Sequence, residues 1–539
     1  VSIADLTYRA LTRIVSGAVS LFSPAAAARY RVARDCYRAY SYQAAAPSGP
    51  NSQWRPRRQP ADVEIRREHE TIVARCRDMV RNDPHVRGGV RRIVDNVVRQ
   101  GIRLQFRAQQ KNGKPRRRLN DEVERHWRRF VRAADVSGHS TFYGLQRLIL
   151  RHLWTDGGVI VHRVFSPTGV FPLQLEVIEL DMLDTSLDGT ESSSGNPIIR
   201  GIEMDRATGR PVAYRILASH PGGDWRLPKS RRISARDIIH VYDRDRASQH
   251  SGIPLMASVV AEMYDLSEFR ANTRISSRLA SAFSVFVKSQ YPEMVGGENP
   301  LFGDTATDAL PDYIEAGRIQ RLPFGTEIQV AKSDYPGDSY EPYVDSALRA
   351  GSVGFGMSFE AFSNNYTDSS YASARSGALE ERMGYQGQQG LLNDTLNAGV
   401  ARWFFEALYL SGAVAMPGYA ADPESYLDRV VWQNPGWAWV DPRADAQAAQ
   451  VELENHITTR RNIAAQRGHD WEEIAGELAA EKELLTEYGL TTAAPVSGDD
   501  IDNEPDTGAD NDGDDDADDD GYSGADRTVT PIQRMEARR

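Results

Sequence analysis

The stretch from Trp432 to Leu490 reads WQNPGWAWVDPRADAQA over 432–448, TTRRNIAAQRGHDWEEI over 458–474 and EKELLTEYGL over 481–490. Locally this is an aromatic, proline-punctuated segment followed by two short charged helices. Pro435 and Pro442 cannot sit in a helix interior, because proline lacks the amide donor and its ring clashes with the preceding turn. After residue 490, Asp, Gly and Asn dominate and apolar residues nearly vanish. A segment so poor in apolar side chains cannot offset its ordering entropy, so a disordered acidic tail is expected.

Working outward, the tail also explains the charge. The 539 residues carry a formal charge of −11, but Asp499–Asp520 holds 13 acidic side chains and no Lys or Arg. Setting those 13 aside leaves +2, so the folded body is near neutral. The length permits several sub-structures and a large core. Cys36 and Cys76 fit no paired metal or redox spacing and read as inert thiols in a reducing compartment. No stretch approaches the ~20 apolar residues of a membrane span. The apolar run Val15–Phe22 is short and interrupted by Ser. Ile3, Leu6, Leu11, Ile14 and Val15 share one helix face, so a packing or partner helix is expected there rather than a cleaved signal.

Residues 1–60 read as a peripheral arm ending in the Pro/Gly/Arg stretch APSGPNSQWRPRRQP. Between 61 and 100, Ile65, Ile72, Val73, Cys76, Met79 and Val80 repeat at helical spacing. Asn82-Asp83-Pro84 breaks the run, and Val90, Ile93, Val94, Val97 and Val98 resume it. Gly101 opens a strand, Ile102–Phe106. Helices follow around Trp127 and Phe130 and over Tyr143–Trp154, then a strand over Val159–Val164. Short strands are expected at Leu173–Ile178, Ile198–Met204, Val212–Leu217 and Ile238–Tyr242, with a hairpin loop at Asp205–Gly209. The fold class is therefore α+β.

Gly252-Ile253-Pro254 starts a long helix which, if continuous to Val287, spans about 50 Å. A loop-rich insert runs from Tyr291 to about Asp338, with a strand at Glu327–Val330. A helix over Tyr340–Gly354 precedes the Ser/Asn/Tyr-rich stretch Ser363–Ser370. A last helix starts near Tyr371 and reaches toward Tyr409, with a kink expected at Gly384, Gly387 and Gly390.

Catalytic and cofactor motifs are missing. No G-x-x-x-x-G-K-[ST] loop is present, and Lys111-Asn112-Gly113-Lys114 reads better as a turn. Gly351–Gly356 lacks the preceding strand that a dinucleotide loop requires, and Gly138–Phe142 lacks the last glycine of a hydrolase elbow. His69, His85, His152, His162, His240 and His469 are scattered singly, which favours structural roles over metal ligation. Glu380 and Glu381 lie near Arg375 and Arg382 and read as a salt-bridged surface. No catalytic residue, cofactor or metal site is expected. The Arg-rich region 55–118 also carries many carboxylates, so a solvated or subunit-facing surface is the simpler reading. Arg116, Arg117 and Arg118 are its best candidates for phosphate contacts.

Several blocks together resemble one family. They are SPAAAARYRVAR (23–34), RCRDMVRNDPHVRGGVRRIVDNVVRQGIRLQ (75–105), Asp156-Gly157-Gly158, His240-Val241-Tyr242, GIPLM (252–256), GFGMSFEAFSNNYTDSSYASARSG (354–377) and the 432–490 stretch. In this order they resemble the portal proteins of lambda-like tailed phages, over about Ser23 to Leu490. The sequence departs from the family's pattern at Arg99, near which a glycine is usual, and at Ser251, where Arg is common.

The resemblance implies a portal fold with an α/β wing, a helical stem, a small α/β clip and a helical crown, assembled as a cyclic ring. It implies an N-terminal arm (1–60), wing (61–250), first stem helix (251–290), clip (291–338), second stem helix (339–362), tunnel loop (363–370), kinked helix and wing return (371–442), crown (443–490) and acidic tail (491–539). Asn364, Asn365, Tyr366, Thr367, Asp368 and Ser369 fall where the family places its channel-facing loop. The implied function is structural: a homo-oligomer of about twelve subunits at one capsid vertex. Double-stranded DNA would pass through it without sequence-specific contacts. The implied partners are the terminase large subunit, a head–tail adaptor, and the major capsid and scaffold proteins. No membrane is involved, and the chain would reside in the virion and, during assembly, in the host cytoplasm. Two rivals remain: a packaging-associated enzyme, which needs clustered carboxylates or a phosphate loop, and a monomeric DNA-binding module, which needs a basic face.

Overall fold

The run Val159-Ile160-Val161 is apolar without alternation, and its position explains why. The strand that contains it is covered on both faces. Val159 and Val161 belong to a large helical core, while Ile160 belongs to a smaller core beneath a β-meander. Strands buried on both faces read as continuous apolar runs rather than alternating ones.

The computed structural model describes residues 56, 58–110, 112–167, 169–223, 229–282, 286–289, 326–329, 337–367, 369–438 and 441–489. The expectations for the N-terminal arm, most of the clip, Asp368 and the acidic tail lie outside these residues. Residues up to Trp471 belong to one compact unit, and those from Glu472 to a second.

The first unit opens with α1 (Ala61–Asn82) and α2 (Pro84–Val97), split at the expected break. The Asp83 side chain accepts from Val86 N at 2.8 Å, and Pro84 takes the first helical position, where no amide donor is needed. β1 (Arg103–Phe106), α3 (Arg117–Ala133) and α4 (Phe142–Thr155) follow. β2 (Gly158–Phe165) is the middle strand of an antiparallel sheet between β3 (Leu173–Glu179) and β8 (Ile238–Tyr242). Inserted between them is an antiparallel meander of β4 (Ile198–Ile199), β5 (Ile202–Met204), β6 (Pro211–Leu217) and β7 (Ser230–Ser234).

Arg99 sits at φ 47°, the left-handed region that favours glycine, and Gly101 follows at φ 113°. The turn into β1 thus keeps the backbone shape that a glycine would supply, with an arginine holding it. Its guanidinium donates to the Gly436 carbonyl, and the Arg147 guanidinium donates to the Arg99 carbonyl at 3.1 Å. A Cβ at Gly101 would collide with the Tyr143 ring, so that position admits little else.

Three expectations need correction. The helix after Gly252 is α5 (Val260–Ala282), and the chain then turns to β9 (Phe286–Ser289), which pairs antiparallel with β10 (Thr326–Gln329). At 23 residues, α5 spans about 35 Å rather than 50 Å. Its start is delayed because Leu255 N and Met256 N donate to the carbonyls of Leu153 and Trp154, closing the end of α4. α6 (Tyr340–Phe355) and the short α7 (Phe359–Ser363) come next. α8 (Tyr371–Leu392) continues unbroken through Gly384, Gly387 and Gly390. The irregularity falls instead at a π turn, Asn393–Asn397, before α9 (Ala398–Leu410). Third, the stretch after residue 440 forms three helices, α11 (Pro442–Glu454), α12 (Arg460–Gln466) and α13 (Trp471–Glu487), not two. Asp441 and Thr459 cap the first two.

The short α10 (Glu424–Leu427) leads to β11 (Val430–Gln433), a strand that the aromatic run did not reveal. β11 pairs antiparallel with β1, Arg103 opposite Gln433, and so closes the unit across more than three hundred residues. A cluster of rings seals the large core. Trp127 lies 5.0 Å from Phe404 and 5.5 Å from Phe142, both edge-on, a geometry that suits the ring quadrupoles. In the second unit, α13 exposes Leu478 and Leu484.

Candidate functional site

Three of the motifs quoted above meet at one junction. Gly157, at φ 85°, approaches the Ile253 backbone so closely that a Cβ would clash. A Cβ on Gly252 would likewise run into the Gly157 carbonyl, and one on Gly158 would come 2.8 Å from the Val241 carbonyl oxygen. The glycines are there because three backbones converge. Asp156 is buried beside them and accepts from Arg77 Nε at 2.7 Å and from His152. Burial alone would raise the Asp156 carboxyl, but the His152 and Arg77 hydrogen bonds overcome it and hold it below the usual range. Arg77 Nη2 also lies 2.6 Å from Asp181 and 3.6 Å from Glu179. Glu179, Asp181 and His220 could present three ligand atoms to a cation. The guanidinium already fills that role, so the trio reads as an ion-pair network.

Upstream of the expected channel segment, α5 and α6 pack antiparallel. Phe269 stacks on Tyr340 at 5.7 Å, and a Cβ at Gly351 would press on Met263 at 2.7 Å. Gly356 ends α6 at φ 64°, a left-handed cap. Phe355 and Phe362 stack at 5.1 Å against α2, where Gly89 leaves them room. Ser358 caps α7 and is itself clamped, its N and Oγ donating to Glu381 Oε1 at 2.8 and 2.6 Å. Glu381 therefore braces the base of the loop, rather than pairing with Arg375 or Arg382 on the surface. Arg375 instead pairs with Asp445 at 2.9 Å, and Arg382 donates to the Ala438 carbonyl at 3.1 Å.

Above this brace the chain is exposed and polar. Asn364 adopts φ 58°, which Asn tolerates better than most residues. Asn365 Oδ1 accepts from Thr367 N at 3.1 Å and Thr367 Oγ1 at 2.7 Å, forming a tight Asx turn. Tyr366 is 52% exposed, Ser369 N donates to the Tyr366 carbonyl, and Ser370 caps α8. Asp368, the sixth expected residue, is not among the described ones. No Lys or Arg occurs between Arg349 and Arg375.

Arg116, Arg117 and Arg118 lie elsewhere, at the start of α3, where Arg116 is the N-cap residue. Arg118 is bound to Glu122 at 3.2 Å, Arg117 is exposed, and Arg116 is half-buried in a hollow beside Ala415 and Pro417. The helix N-terminus adds to their positive field, at some cost to the helix. The structure does not bring these arginines to the 363–370 loop by any hydrogen bond or ion pair among the described residues.

Behind the loop helix, a relay of side-chain carboxamides crosses the core. Gln146 Oε1 accepts from Ile102 N at 2.9 Å, and its Nε2 donates to the Ile102 carbonyl and to Asn397 Oδ1. Asn397 donates to Asn393, and Asn393 to Asn434 Oδ1. Gln389 donates to the carbonyls of Val97 and Pro435. The relay ties α8 and the π turn to α4, β1 and the segment after β11. Sequence reasoning missed it, because a scatter of Gln and Asn has no period that points to a shared core.

Residues 48–389 match the profile of the phage portal proteins, lambda family. The chain belongs to that family. Its relatives include a probable portal protein of Halomonas phage phiHAP-1, 25% identical over 450 residues that cover 82% of this chain and 86% of the relative. Portal protein B of Escherichia phage lambda is 21% identical over 478 residues, covering 82% and 89%. The portal protein of Escherichia phage N15 is 21% identical over 475 residues with the same coverage. Among solved structures, a chain from the neck of an empty gene transfer agent particle, computed with C6 symmetry, matches with a TM-score of 0.43 and 15% identity, over 77% of this chain and 95% of that one. As a portal protein the chain is a structural component of the phage head–tail connector, within the virion. No helix among the described residues is long and apolar enough to cross a membrane.

Proposed function

We propose that the chain assembles into a closed ring of roughly twelve copies at a unique capsid vertex, and that duplex DNA passes through the ring during packaging and ejection. Residues 61–250 form the wing, α5 and α6 the stem, 291–338 the clip and 443–490 the crown. The clip docks the terminase large subunit, which hydrolyses ATP, and later the head–tail adaptor. Outer surfaces meet the major capsid and scaffold proteins. Asn364, Asn365, Tyr366, Thr367, Asp368 and Ser369 line the constriction.

The observation that carries this reading is the loop itself: exposed, polar, held in shape by its own hydrogen bonds and braced by Glu381. A conduit must keep DNA in line without gripping it. Each phosphate that a cation neutralises adds binding energy and hence friction. Short polar side chains flanked by no cation suit sliding. Arg116, Arg117 and Arg118 are candidate phosphate contacts in the same reading, with Arg117 the freest. The acidic tail repels DNA near the crown or binds basic partners.

The test is packaging with the Asn365→Arg, Thr367→Arg double variant in otherwise complete particles. Packaging is expected to slow several-fold at low salt and to recover as salt screens the new contacts. Packaging at the parental rate at every salt concentration would remove the loop from the DNA path.

A further inference from the structure

The apolar stripe near the start of the sequence has no role in the reading above, yet the first unit carries a groove of matching chemistry. Between α1 and α5 lies a groove of about 840 Å³. Met79 and Val260 form its buried floor, and Ile72, Ala74, Ala261 and Tyr264 its walls, with Tyr264 51% exposed. Glu70, Asp78 and Asp265 stand on the rim against a single cation, Arg75. Among the described residues Glu70 and Asp265 have no ion-pair partner, and Asp78 holds Arg81 at 2.8 Å on the open surface. The groove is thus apolar within and net negative at its edge.

We propose that this groove seats the chain's own N-terminal segment, residues 3–15, bound as an amphipathic helix. Ile3, Leu6, Ala10 and Ile14 fall on one side at 100° per residue, a stripe wide enough to cover Ile72, Ala74 and Tyr264. Arg9 and Arg13, one turn apart, flank that stripe and face the acidic rim. Thirteen helical residues span about 20 Å, and the groove follows α1 from Glu70 to Met79, about 14 Å. The 40 residues from 16 to 55 join the segment to the described chain just before α1. The groove begins about 14 Å along α1 from Ala61 and ends about 27 Å from it, well within the reach of 40 linking residues.

The test uses the full chain with Cys36→Ser, since Cys76 is buried. Leu6→Cys or Ala10→Cys is paired with Ala74→Cys or Ala261→Cys, and oxidised protein is mapped by mass spectrometry. Disulfides within one chain are expected for these pairs and not for the control Val353→Cys, which lies on α6 and is 79% exposed. Disulfides between chains would overturn the proposal and give the groove to a neighbouring copy; no disulfide would overturn it outright. Hydrogen exchange supplies the second readout. The Arg9→Glu, Arg13→Glu variant should speed exchange over residues 70–79 by roughly tenfold, and unchanged exchange would contradict the proposal.

Discussion

The buried Gln146 and Asn397 pass hydrogen bonds to the half-buried Asn393 and Asn434, whereas Asn364 and Asn365 stand on an exposed loop. The side chains are chemically alike, and burial decides what each set does. Inside, every amide that lacks a partner costs its full desolvation, so the relay can form in only one arrangement and fixes the root of α8. Outside, water satisfies what the chain does not, and Asn365 engages only its neighbour Thr367. The same helix thus has a rigid root at the π turn and a polar tip at the loop, separated by the Ser358–Glu381 brace. Such an arrangement suits a wall that must hold position while presenting nothing sticky.

The largest expected effect breaks the relay. Gln146→Leu orphans the Ile102 amide and carbonyl and Asn397 Oδ1, and should cost roughly 3 kcal/mol or more in denaturant unfolding of the first unit. Asn364→Gly, on the loop, keeps the left-handed backbone and should stay within about 0.5 kcal/mol. Equal costs would end the contrast between the two regions.

Acid should sharpen it. Burial, with a smaller contribution from Arg200, lowers His69 from 6.5 to about 4 and His240 from 6.5 to about 3. A histidine with a depressed folded pKa takes its proton more readily when unfolded. Stability is therefore full above 6.5 and falls as pH drops from 6.5 toward 4, by up to about 1.4 kcal/mol per unit for each ring. Thermal unfolding across that window checks the slope. The His69→Phe variant should flatten it, while Asn364→Gly should leave it unchanged.

Glu381→Gln loses the charge that Ser358 N and Oγ share, and should cost about 1–2 kcal/mol. It should also speed proteolytic nicking at 364–367, since the base of the loop is freed. A smaller effect is expected at Arg99. Replacing it by Gly relieves the left-handed backbone but gives up the bond to the Gly436 carbonyl, so the net change should lie within about 1 kcal/mol.

What could be foreseen from sequence follows the same division. α1, α2 and α4 and strands β2, β3, β6 and β8 announce themselves through periodic apolar residues, such as Val90, Ile93, Val94 and Val97, because local burial writes a local pattern. β11 was hidden, since its strand character comes from pairing with β1 far away in sequence. The late start of α5 depends on donors captured by Leu153 and Trp154, and the unbroken course of α8 through three glycines goes with burial of Tyr385, Gln389 and Leu392 on one face. Neither is a local property. At the loop, the Ser/Asn/Tyr composition was plain in the sequence, but the role of Glu381 was not, because its partner Ser358 lies on another helix.

The central claim is the ring. Native mass spectrometry of the purified full chain, at micromolar concentration with capsid and scaffold proteins present, tests it most directly. The account predicts a closed particle of roughly twelve subunits of 60.0 kDa with a central hole in class-averaged micrographs. A monomer or dimer that persists under those conditions would contradict it.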